Sequence, residues 1–360
     1  MTVSARRGLV APPAARGPAV LLVKTHALGD VLLTTPVIRA LAKQRPDARI
    51  VYVTGRWSAP ALRGNPHLTE LIEVDDRAIF GVGPRNLLLL PLVARLRRWH
   101  FAGAIVFSAS RSIQLLIRSA RPGMLAGYGE GPLLDHSVPA DILRDSYAVR
   151  AYGALLEPFG VSLDDLSLDA PSMEPAAAED VRAFLESSTR RTAAFFCGGG
   201  RNPRDFVPAK RWAAERFAEL GNRLGEQGWQ ILLLGAAVDA DAAGEVQRSL
   251  RARHLNVCGR FSFAESGALL RHCRLTVTND SAPLHLSYAL AVPTVGLFGP
   301  SDPRLLMPRL PHCRAVKSSY SCSPCYGNSL FSGCEMPRCM DGIAVEAVYA
   351  ACVELTSPLG

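Results

Sequence analysis

Apolar and polar positions along this chain fall into two alternating patterns. Short runs with hardly a polar residue are followed by a turn, and then by segments whose apolar residues recur every three or four positions. The first run, Pro18–Val23, reads as a strand buried on both faces, as strands of parallel sheets are. The loop Lys24–Asp30 leads into helical spacing from Val31 to Lys43, with Leu32, Leu33, Val37 and Leu41 on the predicted buried side. Ile50–Val53 and Ala104–Phe107 are further strands, so the first half alternates strand and helix as a doubly wound α/β domain does. Tyr147–Phe159 has helical spacing, and the polar, proline-punctuated stretch from Asp164 to Pro175 interrupts the pattern. These shifts predict a disordered tail over residues 1–17, a first domain over 18–170, a linker over 171–190, a second domain over 191–335 and a closing helical segment over 336–360.

The second half repeats the pattern. A strand beginning near Thr192 ends at Phe195–Phe196, and Cys197–Gly200 makes a glycine-rich turn able to bring backbone N–H groups close to a phosphate. A helix is predicted from Ala209 to about Leu224, a strand over Gln230–Gly235, then a short strand and helix before Leu275–Thr278. That run breaks at Asn279–Asp280 into a helical segment, and a second strand follows at Pro293–Phe298. Strand, helix, strand is a βαβ unit, and in such units ligands bind beyond the carboxyl ends of the strands, where a helix N-terminus favours an anion. Asp280, Ser281 and His285 fall at that spot. Ser281 alone reads equally well as an N-cap.

Asn279-Asp280-Ser281-Ala282-Pro283-Leu284-His285-Leu286 resembles the nucleotide-sugar signature of the heptosyltransferase family, typically Asn-Asp-Thr-Gly-Pro-Met-His-Leu. Ser281 keeps the hydroxyl, whereas Ala282 puts a methyl group where the family has glycine beside the diphosphate. Leu28–Pro36 matches the family's Leu-Gly-Asp-Val-Leu-Leu-Thr-Thr-Pro residue for residue, and Ala209–Trp212 its Ala-Lys-Arg-Trp. The resemblance implies the GT-B architecture, two Rossmann-like domains facing a cleft with the acceptor on the first and the nucleotide sugar on the second, and a last helix that crosses back to the first domain. It implies inverting transfer of a heptose or related sugar from ADP-heptose or another nucleotide sugar to a lipopolysaccharide core or other surface glycan. Asp30 is then the general base, because a sugar hydroxyl is a poor nucleophile until a carboxylate takes its proton; on local sequence alone Asp30 also reads as a helix cap. Lys210 and the backbone at Ser281–Ala282 hold the diphosphate, with Gly198, Gly199, Asp280 and His285 around the donor. Asp239 stands where the family has a ribose-binding Glu, and His26 is a candidate acceptor contact. No cofactor is implied for catalysis, since cationic side chains and a helix N-terminus can neutralise the leaving group.

Charge and cysteine usage add two features. Of 40 basic side chains only four are lysine, which makes Lys210 stand out. Between Asp76 and Glu130 lie eight arginines and no carboxylate, with the apolar run Leu87–Val93 beside Arg95, Arg97 and Arg98. Such a field suits an anionic glycolipid acceptor and peripheral attachment to a membrane surface, with Arg111 and Arg118 as candidate acceptor contacts; a buried leucine core with a solvated arginine rim is the alternative. Nucleic acid is not an expected partner. The opening residues show no signal-peptide core, and no apolar run reaches a membrane span, so a cytoplasmic protein at the inner membrane face is expected. Cys322, Cys325, Cys334 and Cys339 suit a structural zinc site, with an iron–sulfur cluster, disulfides or free thiols as alternatives. A dehydrogenase would need G-x-G-x-x-G after a strand, which Cys197–Gly200 does not supply. A non-catalytic nucleotide-sugar binding or assembly protein differs from the transferase only at Asp30.

Overall fold

Twelve strands form two six-stranded sheets in the computed structural model, which describes residues 17–76, 89–172, 179–186, 191–199, 201, 206–325, 334 and 338–357. The first sheet holds β1 (Ala19–Val23), β2 (Arg49–Gly55), β3 (Glu70–Val74), β4 (Gly103–Val106), β5 (Leu125–Tyr128) and β6 (His136–Val138), in the order β3-β2-β1-β4-β5-β6. The second holds β7 (Arg191–Phe196), β8 (Trp229–Leu233), β9 (His254–Asn256), β10 (Leu275–Asn279), β11 (Thr294–Phe298) and β12 (Cys313–Lys317), in the order β12-β11-β10-β7-β8-β9. Every pairing is parallel. Strand order reverses between β1 and β4 and again between β7 and β10, and these two switch points are where an open α/β sheet leaves a crevice for ligand.

Alternate residues of each strand feed opposite layers, which is why the strands read as unbroken apolar runs. Leu21, Val51 and Ala104 pack into a cluster on one face of the first sheet, Phe195, Ile231 and Val277 into one on the far face of the second. Leu22, Tyr52 and Ile105 share a third cluster with Phe196, Leu232 and Leu284, so one continuous apolar layer spans both sheets. Each fully buried side chain of this size contributes roughly 1.5–3 kcal/mol.

Several elements differ from the sequence expectation. The helix expected over Val31–Lys43 is two helices, Leu28–Leu32 and Thr35–Gln44. Thr34 and Thr35 turn their hydroxyls back onto the carbonyls of Val31 and Leu32, and Pro36 lacks the N–H needed to continue the first helix. The expected linker contains a helix, Glu179–Glu186, whose Val181 and Phe184 are buried. The last helix, Val345–Thr356, does not cross back to the first domain: Val345, Val348 and Cys352 join the core of the second sheet, and the helix packs on β11, β12 and the helix Ala214–Glu226.

Candidate active site

Just past β1 the backbone turns through Ala27 at φ 63°, a left-handed conformation strained for a residue with a Cβ, and starts the helix Leu28–Leu32. The N-cap position falls on Ala27, which puts Asp30 inside the first turn; the carboxylate caps nothing and turns instead to Lys24, with Nζ 3.1 Å from Oδ2. Lys24 is 7% exposed and lies 5.9 Å from the centre of the Tyr152 ring. Burial pushes the Asp30 pKa up, but the Lys24 ammonium outweighs it and holds the carboxyl below the usual carboxylate range. A base that stays ionised in a partly dry site is the result.

The facing wall comes from the second sheet. Asn279, the last residue of β10, is buried; its Nδ2 donates to the carbonyls of Cys197 (3.0 Å) and Gly198 (2.9 Å), and its Oδ1 accepts from the Trp212 N–H (3.1 Å). One amide thereby ties two loops to the end of β10. Lys210 sits on a tight turn, Pro208–Lys210, ahead of the helix Ala214–Glu226 rather than within it. Its Nζ lies 2.7 Å from Asp280 Oδ2, which also accepts from Ser301 Oγ at 2.6 Å. Burial raises the Asp280 pKa, and Lys210 and Ser301 more than reverse that, so the carboxyl is held below its ordinary range.

Ser281 occupies the N-cap of the helix Ala282–Ala289 in extended conformation, yet its hydroxyl makes no cap bond to the helix and donates to the Asn279 carbonyl (3.2 Å). Pro283 has no N–H and the Leu284 N–H donates to the Ser281 carbonyl (3.0 Å), which leaves the Ala282 N–H at the start of the helix to a ligand. Gly199, at φ 102°, faces this end: a Cβ on it would lie 2.9 Å from that of Ser281. Gly198 has no room either, because its Cβ would meet Asp239 at 2.1 Å. Asp239 accepts from the N–H groups of Gly199 (3.0 Å) and Ala236 (3.2 Å), and Arg211 Nη2 lies 3.4 Å away. Both its oxygens are engaged with protein, so a ribose contact there has to share them.

His285 stands between the two walls, 3% exposed. Tyr288 donates its hydroxyl proton to the Leu306 carbonyl (3.0 Å), so its oxygen accepts from Nδ1 of His285 (3.1 Å) and Nε2 keeps its lone pair, on the ring edge next to Gly29. Burial lowers the His285 pKa against the pull of Asp280 and Asp30, and the ring stays neutral. Around these groups lies a cavity of about 540 Å³, to which both sheets contribute.

The family model for glycosyltransferase family 9 (heptosyltransferase) matches residues 92–333. The chain belongs to this family. As a family 9 member it is a glycosyltransferase that uses a nucleotide-sugar donor. The lipopolysaccharide heptosyltransferase 2 of Salmonella typhimurium is 27% identical over 313 residues, 83% of this chain and 87% of that one. Among solved structures, the family 9 glycosyltransferase of Veillonella parvula is similar with a TM-score of 0.72 and 24% identity over 94% of this chain and 97% of that one. The E. coli ADP-heptose lps heptosyltransferase II follows with 0.71 and 23%, over 94% and 98%. The shared fold is the GT-B arrangement of two Rossmann-like domains.

All donor residues expected from the sequence line the cavity, as do Asp30 and His26. Arg111 and Arg118 do not: Arg111 reaches the Glu130 carbonyl (3.4 Å), and Arg118 makes a two-pronged pair with Asp135 at 2.7 and 3.0 Å. Of the arginine field, Arg77 and Arg85 lie outside the described residues, as do Leu87 and Leu88; Leu89 and Val93 are core, while Leu90 is 60% exposed. Cys322, Cys325 and Cys334 are exposed and Cys339 is buried. Among the described residues no three of His, Cys, Asp and Glu are arranged to hold a metal ion, and the stretches 326–333 and 335–337 between these cysteines lie outside them. Sequence reasoning missed Lys24 and Ser301. Lys24 carried a signal, being one of only four lysines.

Proposed function

We propose that this family 9 glycosyltransferase moves a heptose from ADP-heptose, with inversion, onto the inner core of a lipopolysaccharide. One observation carries the reading: a single cavity has an ionised carboxylate, Asp30, on one wall and an uncapped helix N-terminus with Lys210 on the other. The acceptor hydroxyl gives its proton to Asp30 as its oxygen bonds to the anomeric carbon. The bond from that carbon to the β-phosphate oxygen breaks on the opposite face, and ADP leaves with the electron pair. Its growing negative charge meets Lys210 and the N–H groups of Ser281 and Ala282. The relatives are heptosyltransferases of lipopolysaccharide by name, which supports the donor and the acceptor class.

Among the described residues no helix is long and apolar enough to cross a membrane. The lipid-linked acceptor is reached by peripheral attachment at the cytoplasmic face of the inner membrane, through exposed Leu90 and the arginines that follow it. The four cysteines are assigned to a structural zinc. Their support is the C-x2-C-x8-C-x4-C spacing of the thiols in the sequence.

Calorimetric titration with ADP-heptose, UDP-glucose and GDP-mannose tests the donor. Binding confined to the ADP sugar, with an inverted anomeric product by NMR, is expected; equal or tighter binding of another nucleotide overturns the assignment.

A further inference from the structure

Trp57 is the most exposed of the four tryptophans, at 37%, whereas Trp212 and Trp229 are buried and Trp99 is packed between Phe101 and Arg49. It lies beyond the carboxyl end of β2 and lines the cavity on the wall that carries Asp30. Its backbone is firmly held. The Trp57 N–H donates to Asp76 Oδ2 (3.0 Å), the Arg56 N–H to the Val74 carbonyl (2.9 Å), and the Ser58 N–H to the Gly55 carbonyl (3.0 Å), which closes a turn. Gly55 is required there, because a Cβ would lie 2.1 Å from Asp76 Oδ1 and 2.6 Å from the Thr25 carbonyl oxygen. The next turn, Ala59–Ala61, packs on the helix Leu28–Leu32, so Trp57 and Asp30 ride on one rigid unit.

We propose that the Trp57 indole is the platform on which the acceptor's sugar ring stacks while its hydroxyl reaches Asp30. A pyranose presents one face of C–H groups, and these lie well on the electron-rich face of an indole. The other aromatic side chains on the same wall, Phe107 and Tyr152, are buried in the core and offer no open face. A large apolar ring fixed at the mouth of a polar cavity is also the kind of anchor that binding sites concentrate their affinity on. The identity of the sugar rests on the heptosyltransferase reading; the platform needs only that a sugar binds at the Asp30 wall.

The test uses the full chain with a soluble deacylated inner-core oligosaccharide as acceptor. Trp57→Ala is expected to raise the acceptor KM about tenfold or more with kcat and ADP affinity little changed, and Trp57→Phe to recover most of the loss. Acceptor titration should shift or quench tryptophan emission in the wild type and leave Trp57→Phe unresponsive, a readout that does not depend on turnover. An unchanged acceptor KM in Trp57→Ala, or a loss of ADP affinity that would mark a nucleobase platform instead, overturns the proposal. Should the wild type bind the oligosaccharide with an emission change yet transfer no heptose, the donor reading fails while the platform stands.

Discussion

A Cβ on Gly29 would lie 2.5 Å from Cδ2 and 3.0 Å from Nε2 of His285. The helices that carry the two motifs, Leu28–Leu32 and Ala282–Ala289, pack directly on each other, so the separation between the base and the leaving-group site is set by a contact that admits no side chain. Gly29→Ala should therefore destabilise the fold by about 1–3 kcal/mol, as overpacking does, and reduce turnover by shifting Asp30 away from the donor. Thermal unfolding and steady-state rates check this; a variant with wild-type melting and wild-type kcat would show that the domains meet elsewhere.

The Lys24–Asp30 pair predicts a pH effect. In the wild type the cation holds the Asp30 pKa down, so the ionised base persists below about pH 3.9, the ordinary aspartate value, and the acidic limb of kcat/KM lies beneath that value. In Lys24→Met the main opposing charge is gone and burial, the largest contribution, raises the pKa, so the limb moves to higher pH. The same depressed pKa contributes stability above about pH 3.9 that is lost as pH falls through the folded value, and the variant should lose it. A Lys24→Met profile that keeps its acidic limb, with only a uniform drop in rate, would reduce Lys24 to packing.

Much of this site is legible in the amino-acid sequence. Asp30 and the Gly198–Gly199 turn follow apolar strands, and Asp280 follows a β-branched run that breaks at Asn279; loops at such carboxyl ends carry chemistry. What is hidden there depends on contacts between distant residues or on the chain doubling back. Lys24 meets Asp30 only because Ala27 adopts a left-handed backbone, which an alanine does not advertise. Arg118 stands in a stretch without carboxylates, but Asp135, 17 residues on, comes round to pair with it. The side on which Val345–Thr356 packs is set by the neighbours of its apolar stripe, not by the stripe itself.

Peripheral attachment makes a separate prediction. Arg95 pairs with Glu70 and Arg97 donates to the Ser119 carbonyl (2.9 Å), yet all of Arg95, Arg97 and Arg98 are exposed beside Leu90. Each basic residue near an anionic surface contributes on the order of 1 kcal/mol, so reversing the three charges should cut partitioning onto phosphatidylglycerol vesicles by more than about a hundredfold at low salt. Sedimentation with vesicles measures it, and unchanged partitioning would remove this face as the docking surface.

Protein purified under anaerobic conditions should carry about one equivalent of zinc, and Cys322→Ser with Cys325→Ser should abolish it. Elemental analysis decides: iron in place of zinc, or neither metal, contradicts the assignment.

The proposed reaction turns on Asp30 taking the acceptor proton. Steady-state release of ADP from ADP-heptose in the presence of the deacylated inner-core acceptor, compared between the wild type and Asp30→Asn, tests it most directly. Turnover is expected to be at least about a hundredfold lower in Asp30→Asn with donor affinity by calorimetry nearly unchanged. Turnover within a few fold of the wild type, with the same donor affinity, would contradict it.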